Sequence, residues 1–230
     1  MTEKPMSTRR ILVWDIPTRL VHWLLVASFA GAFVTADSER LRVLHVMFGV
    51  TLLALIAFRL VWGVAGTRYA RFRSFAYGPR AVLRYLWSLA TLKPVRHVGH
   101  PPAASWVIWL MLGLGLLVGV TGYGAYNDGP EWLEDAHEAL AWTLLAVVVV
   151  HVAGVLVSSL LHRENLVAAM ITGRKRGASS EAIRTSRWLV GAAVAALVLA
   201  LWLDVVPVPG LDVTASARGG DHASAREKDD

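Results

Sequence analysis

The sequence predicts an all-α integral membrane protein, a four-helix transmembrane bundle with a fifth transmembrane helix after it. Three observations lead there. Of 230 residues, 55% are hydrophobic and only 17% charged, with a mean hydropathy of +0.49, which is too apolar for a soluble domain of this size. The apolar residues fall into five runs of membrane-crossing length. The basic residues gather in alternate connections between those runs, the pattern that sets membrane topology.

The elements follow in order. Residues 1–19, with Lys4, Arg9, Arg10 and Arg19, form a polar cytoplasmic leader. Its charge order is that of a signal peptide, but Arg19, His22 and Trp23 crowd the entry to the apolar run 20–36. Val34-Thr35-Ala36-Asp37 is a poor cleavage site, so the run reads as a retained first helix. Further spans are expected over 43–64, 103–123, 139–161 and 188–206, the last with Asp204 at an interface. Between the second and third, Gly78-Pro79 is a helix start signal, and Val82, Leu83, Leu86 and Leu89 recur at helical spacing. This predicts an amphipathic helix within 77–92 lying on the membrane surface. A second short surface helix is expected over 165–172. The resulting division is a leader (1–19), the bundle (20–176), a linker with the fifth helix (177–206) and a flexible periplasmic tail (207–230).

Basic residues orient the chain. Arg68, Arg71, Arg73, Arg80, Arg84, Lys93 and Arg96 lie between spans two and three. Arg163, Arg174, Lys175, Arg176, Arg184 and Arg187 lie between spans four and five, whereas 124–136 carries Asp128, Glu131, Glu134 and Asp135 and no cation. The amino terminus is therefore cytoplasmic and the carboxyl terminus periplasmic. The net charge of +6 and pI near 10.1 follow from this topology. They do not indicate a nucleic-acid partner, because the arginines are spread among hydrophobic segments.

That topology assigns each membrane histidine a depth. His137 and His151, fourteen residues apart on the fourth span, are separated by about 21 Å of helix rise and lie on one face. His22 is level with His151 toward the cytoplasm, and His45 is level with His137 toward the outside. An ionisable ring in hydrocarbon needs a partner. Two level histidine pairs in a four-helix bundle are the pattern by which such bundles hold haem between inward-facing side chains. The absence of cysteine excludes thiolate metal sites and covalent c-type attachment, so any haem is held non-covalently.

Neighbouring residues add candidates. Gly49, one turn after His45, and Gly154, three residues after His151, leave helix faces without bulk for a flat macrocycle. Gly113, Gly115, Gly119 and Gly122 in the third span read equally as haem clearance or as close helix packing. Arg19 and Arg42, each three residues before a histidine, are candidate partners for haem propionates, or else snorkel to headgroups. Arg59, deeper in the second span, needs a buried partner. His97 and His222 read as solvated loop residues, His162 as a hydrogen-bonded cap, and His100 as a candidate edge of an inner quinone or haem site.

Val13-Trp14-Asp15-Ile16-Pro17-Thr18-Arg19-Leu20-Val21-His22-Trp23, Leu44-His45-Val46, Phe58-Arg59-Leu60-Val61-Trp62-Gly63, Arg71-Phe72, Gly78-Pro79, Gly99-His100-Pro101, His137-Glu138 and His151-Val152-Ala153-Gly154 together form a dispersed pattern. In these segments the chain resembles the bacterial cytochrome b561 and nickel–iron hydrogenase b-type cytochrome family. The segment from His162-Arg163-Glu164-Asn165 to Gly173-Arg174-Lys175 is similar to the subgroup described as cytochrome b/b6-domain proteins. Together the segments cover about residues 11 to 176. The fifth span and the tail lie outside the match.

The resemblance implies a diheme b-type cytochrome of the bacterial inner membrane. His22, His45, His137 and His151 would be axial ligands of two non-covalent b-type haems, with no catalytic residue besides. Electrons would pass between an exchangeable quinone or quinol and a periplasmic partner such as a c-type cytochrome. The alternatives within the resemblance are the membrane anchor of a hydrogenase-like oxidoreductase, docked to a periplasmic subunit, and a quinone reductase that oxidises superoxide. A histidine-lined transporter, the reading from another class, lacks the carboxylates expected in the spans.

Overall fold

The computed structural model describes residues 9–93 and 95–206. The predicted tail, with His222, and the first eight residues of the leader lie outside them. In order, the elements are β1 (Arg9–Leu12), α1 (Ile16–Thr35), α2 (Arg42–Ala65), α3 (Pro79–Ala90), α4 (Pro102–Tyr126), α5 (Trp132–His162), α6 (Leu166–Thr172), β2 (Arg174–Gly177) and α7 (Trp188–Trp202). Four of the helical segments, those ending at Thr35, Ala65, Tyr126 and His162, are long and apolar enough to cross a membrane.

The start of α1 shows how buried chemistry fixes an element. Asp15 is fully buried and its Oδ1 accepts from the Thr18 amide at 2.8 Å, the N-cap bond that satisfies one of the helix's unpaired donors. Its Oδ2 accepts from Trp62 Nε1 at 3.1 Å and from Thr67 Oγ1 at 2.7 Å. One carboxylate therefore starts α1 and pins it to the inner end of α2. Pro17 follows in the first turn, where its missing N–H costs nothing.

Residues 9–12 of the expected leader are structured. β1 pairs antiparallel with β2, with Arg9 opposite Gly177 and Leu12 opposite Arg174. Gly173 makes the approach possible: it ends α6 at φ +77°, and a Cβ there would lie 2.7 Å from the Trp14 carbonyl. Its own carbonyl accepts from the amides of Val13 and Trp14. The chain entering α1 is thus clamped to the chain leaving α6.

Both predicted surface helices form. Val82, Tyr85 and Ser88 of α3 face inward, while Leu83, Leu86 and Trp87 are exposed. Asn165 caps α6 through Ala168 N. α5 begins at Trp132, so Glu134 and Asp135, expected in a loop, occupy its first turn, where carboxylates suit the helix dipole.

The fifth expected span is the shorter helix α7, 15 residues and about 22 Å long against about 30 Å of hydrocarbon. It ends at Trp202, and Asp204 turns the chain with a positive φ of 55°. α7 packs along α1 and α2, and Trp202 Nε1 donates to Thr51 Oγ1 at 3.0 Å.

Among the long helices, α1 packs on α2, α2 on α4, and α4 on α5. Gly115, Gly119 and Gly122 share one face of α4, where added Cβ atoms would strike Ile56, Leu53 and His137 respectively. Gly115 and Gly119 serve close helix packing, and Gly122 makes room for the His137 ring. α5 reaches α1 and α2 through side chains, with Phe33 on Trp142 at 5.1 Å and His45 beside His137.

Candidate functional site

The outer pair is brought together. His45 of α2 and His137 of α5 lie with ring centroids 6.0 Å apart and planes at 84°. His45 Nδ1 is 2.8 Å from the Ala32 carbonyl near the end of α1. His137 Nδ1 is 3.0 Å from the Val118 carbonyl of α4. In each ring the Nδ1 hydrogen can then be donated to a backbone carbonyl, which fixes the tautomer and leaves Nε2 as the free lone pair, the arrangement of metal-ligating histidines. Gly122 permits this: a Cβ there would come within 2.7 Å of His137 Cε1.

These residues fit a metal that brings most of its ligands with it. Two imidazoles sharing one metal through bonds of about 2 Å have ring centroids about 6 Å apart, which matches the outer pair. Among the described residues no three His, Asp or Glu side chains gather as a conventional metal site would require. A site of two histidines would suit the iron of a macrocycle that supplies its remaining ligands. A Cβ at Gly49 or at Gly154 would touch nothing within 4 Å, so both faces are clear of protein.

The inner group is built differently. His22 and His151 lie within electrostatic reach of one another, and His22 stands edge-on to Trp23 at 5.2 Å. His100 joins them, in reach of both. It is packed between Trp14 at 4.6 Å and Phe75 at 4.5 Å. Burial, reinforced by the Arg59 and Lys175 cations, lowers the His100 pKa to about 3. Arg59 is 7% exposed, with its guanidinium over Phe72 at 5.0 Å and Phe75 at 5.8 Å. The Nδ1 atoms of His22 and His100, Nη1 of Arg59 and Nε of Arg19 and Arg71 are all buried with no hydrogen-bond partner among the described residues. Unsatisfied nitrogens of this kind, three of the five on guanidinium groups, fit an acidic group such as a propionate.

The two arginines singled out from sequence have separate surroundings. Arg19 donates through NH1 to the Ile171 carbonyl and so holds the end of α6. Arg42 is exposed and stands 5.9 Å from the Tyr126 ring centroid at the outer end.

His97, expected to be a solvated loop residue, is half-buried between Tyr85 at 5.5 Å and Tyr77 at 6.0 Å. His162 has Tyr85 as its partner at 3.4 Å. Gly122 and Asp15 are the site-building residues that spacing alone did not single out. For Gly122 the signal was its place in the glycine face of α4, and for Asp15 a carboxylate directly before Ile-Pro at a helix start.

The family model described as prokaryotic cytochrome b561 matches residues 13–173. A probable Ni/Fe-hydrogenase B-type cytochrome subunit of Rhizobium leguminosarum bv. viciae is 22% identical, over 75% of this chain and 92% of its own. The corresponding protein of Cupriavidus necator is 22% identical over 73% and 87%. The probable Ni/Fe-hydrogenase 1 B-type cytochrome subunit of Escherichia coli K12 is 20% identical over 75% and 94%. No solved structure matches the chain.

Proposed function

The chain belongs to the prokaryotic cytochrome b561 family, and on that premise we propose that it is a diheme cytochrome relaying electrons between a quinone pool and a periplasmic redox partner. Haem b, membrane helices and electron transfer come with family membership. The observation that carries the rest is the outer pair, with rings 6.0 Å apart and both Nδ1 atoms engaged by backbone carbonyls. His45 and His137 would hold one iron, and His22 and His151 the other. Bound haem supplies reversible one-electron exchange.

With two histidines held for each haem, the group would exchange electrons without binding substrate, so the chain would act as a conductor. Arg19, whose Nε has no partner among the described residues, and Arg59 would bind carboxylates at the inner site. Arg42 would do so at the outer one. Gly49 and Gly154 would lie against the macrocycles. α7, with the residues after it, would complete a fifth crossing in the bacterial inner membrane. The amino terminus and the basic connections would face the cytoplasm, and the carboxyl terminus the periplasm. Quinone would exchange at the inner end, and a c-type cytochrome or oxidoreductase subunit would dock at the outer end.

A second reading is favoured by the relatives, which are named as hydrogenase cytochrome subunits and are covered over most of their length. In it the same electron path serves a periplasmic hydrogenase-like subunit seated above His137, and co-purification of such a subunit with the full chain would support it.

Pyridine haemochrome titration against protein tests the diheme proposal. Wild type should hold two haems. His45→Ala or His137→Ala should each remove one and leave the site of His22 and His151 intact, and His22→Ala or His151→Ala should do the reverse. A wild-type stoichiometry of one, or losses that do not follow this pairing, would refute it.

A further inference from the structure

Beside the inner site lies a polar pocket that electron transfer through the histidine pairs does not use. It is lined by Tyr85 of α3, Arg96 and His97 of the connection after α3, His162 at the end of α5, Glu164 of the next turn, and Lys175 of β2. Its free volume is about 20 Å³, and roughly 10–15 Å³ is enough for one water. A phosphate or a nucleotide does not fit, whereas a water shared among proton-exchanging side chains does.

The lining groups are already connected. Tyr85 Oη is 3.4 Å from His162 Nε2, and Ser158 joins them in the pocket lining. The His97 ring stands edge-on to Tyr85. Glu164 Oε1 accepts from the Arg176 amide at 2.7 Å and faces Arg96 at 3.9 Å. Lys175 is 6% exposed. Its Nζ donates to the His97 carbonyl at 3.2 Å, which leaves two more hydrogens of the ammonium to place.

A lysine buried in a strand that also carries Arg174 and Arg176 is costly unless its charge is used. Burial, offset by Glu164 and reinforced by Arg96, lowers its pKa from the ordinary lysine value. Lys175 is also the group that links this pocket to the inner site. Its charge reaches His100, which in turn is in reach of His22 and His151.

We propose that this pocket is a proton-loading site: when the inner site gains an electron, one proton from the cytoplasm is taken up on the His97–His162 pair. The inference rests on the proposal that the inner pair holds a redox centre. The balance is simple: one electron arrives from the quinol or the periplasmic partner, one proton arrives from water, and the net charge of this end is unchanged. The physical cause is Coulombic. In the oxidised state burial, with the cations of Lys175 and Arg96, holds the His162 imidazole neutral against Glu164, and an added negative charge nearby favours the imidazolium. On reoxidation the proton returns through Tyr85 and the water. Quinone chemistry, which moves protons with electrons, would draw on such a store.

The test is potentiometric titration of both haems in the full haem-loaded chain from pH 5.5 to 8.5. One haem should become harder to reduce as pH rises, its reduction equilibrium falling up to tenfold per pH unit, about 59 mV for one electron. The haem retained in a His151→Ala variant should be pH-independent. His162→Gln combined with His97→Gln should flatten the slope to less than twofold per unit with haem content unchanged. Lys175→Met should move the sloping window to higher pH, since the Lys175 cation is one of the groups that lower the His162 pKa. A purely structural role would displace the potential equally at every pH. Should the double variant lose haem, proton uptake by wild type on dithionite reduction, read with a pH indicator dye, replaces it, with about one proton expected for each inner electron. Potentials independent of pH, a slope that survives in the double variant, or no proton uptake would each overturn the proposal. A haem count below two would instead overturn the diheme reading.

Discussion

Replacing Gly122 by alanine isolates the geometry of the outer pair from the stability of the helices around it. A Cβ at this position would sit 2.7 Å from His137 Cε1 and 2.8 Å from Nδ1, where ordinary contact begins at 3.4 Å. The ring must therefore retreat from α4 by about 0.7 Å or more, which stretches its 3.0 Å link to the Val118 carbonyl to about 3.7 Å, past hydrogen-bonding range. Losing the bond that orients a ligating histidine costs about 10- to 100-fold in metal affinity, or about 1.4–2.7 kcal/mol. The helix itself should gain, since alanine is favoured over glycine by about 1 kcal/mol in a helix interior.

The assay is haem titration of apoprotein in a His151→Ala background, where the outer pair is the one intact site. Gly122→Ala should weaken binding by that factor without lowering the thermal midpoint of the apoprotein. Gly113→Ala serves as the control: it lies nine residues away, half a turn around the helix, and a Cβ there meets nothing within 4 Å. Unchanged affinity in Gly122→Ala, or equal loss in both variants, would refute the argument that this glycine exists to seat His137.

Other outcomes follow from the same contacts. Asp15→Ala removes an N-cap and strands the Trp62 indole and Thr67 hydroxyl; it should destabilise the fold by about 2–4 kcal/mol, read as a lower thermal midpoint. His100 is held neutral, its pKa lowered to about 3 by burial first and then by Arg59 and Lys175. The unfolded chain binds its proton below about pH 6.5, so stability should fall as pH drops from there toward 3, by at most about 1.4 kcal/mol per unit. His100→Phe, which keeps a ring between Trp14 and Phe75, should flatten that acid slope in thermal melts at pH 6.5, 5 and 4. Gly49→Leu and Gly154→Leu enter space clear of protein, so the apoprotein should keep its thermal midpoint. The first should lose the outer haem and the second the inner one, and retention of both haems would remove these glycines from the sites.

What was legible in the sequence is what periodicity and charge carry. The four long helices, the surface helices α3 and α6, and the closeness of His45 and His137 all follow from apolar runs, start signals and depth. The strand pair was not legible, because Arg9-Arg10-Ile11-Leu12 is four residues long and its partner lies at 174–177, so no local pattern marks it. The burial of Lys175 escaped for the same reason: in a basic connection it reads as one of several topology cations, and the fold of β2 under the end of α5 is what encloses it. Glu134 and Asp135 misled because acidic residues between apolar runs look like a loop, although at a helix start they are favourable. The length of α7 was overread because Leu203, Val205 and Val206 continue the apolar run after Asp204 has turned the chain.

The two ends of the bundle differ in a way that assigns them different tasks. At the outer end each histidine is oriented by a carbonyl of the protein's own backbone, and the two rings stand 6.0 Å apart. At the inner end Nδ1 of His22 and His100, Nη1 of Arg59 and Nε of Arg19 have no hydrogen-bond partner among the described residues, and the pocket of Lys175 lies next to them. A site oriented by backbone carbonyls suits rapid electron exchange with a docked protein, whose charge changes are not tied to protons. An end rich in unsatisfied nitrogens and exchangeable protons suits chemistry in which each electron is accompanied by a proton. The asymmetry therefore argues for quinone at the inner end and a one-electron carrier at the outer end. Reversing it, by supplying a membrane-impermeant one-electron donor to each side of oriented vesicles in turn, should reduce the haems fast from the outer side and slowly from the inner side. Equal rates from both sides would sink the assignment.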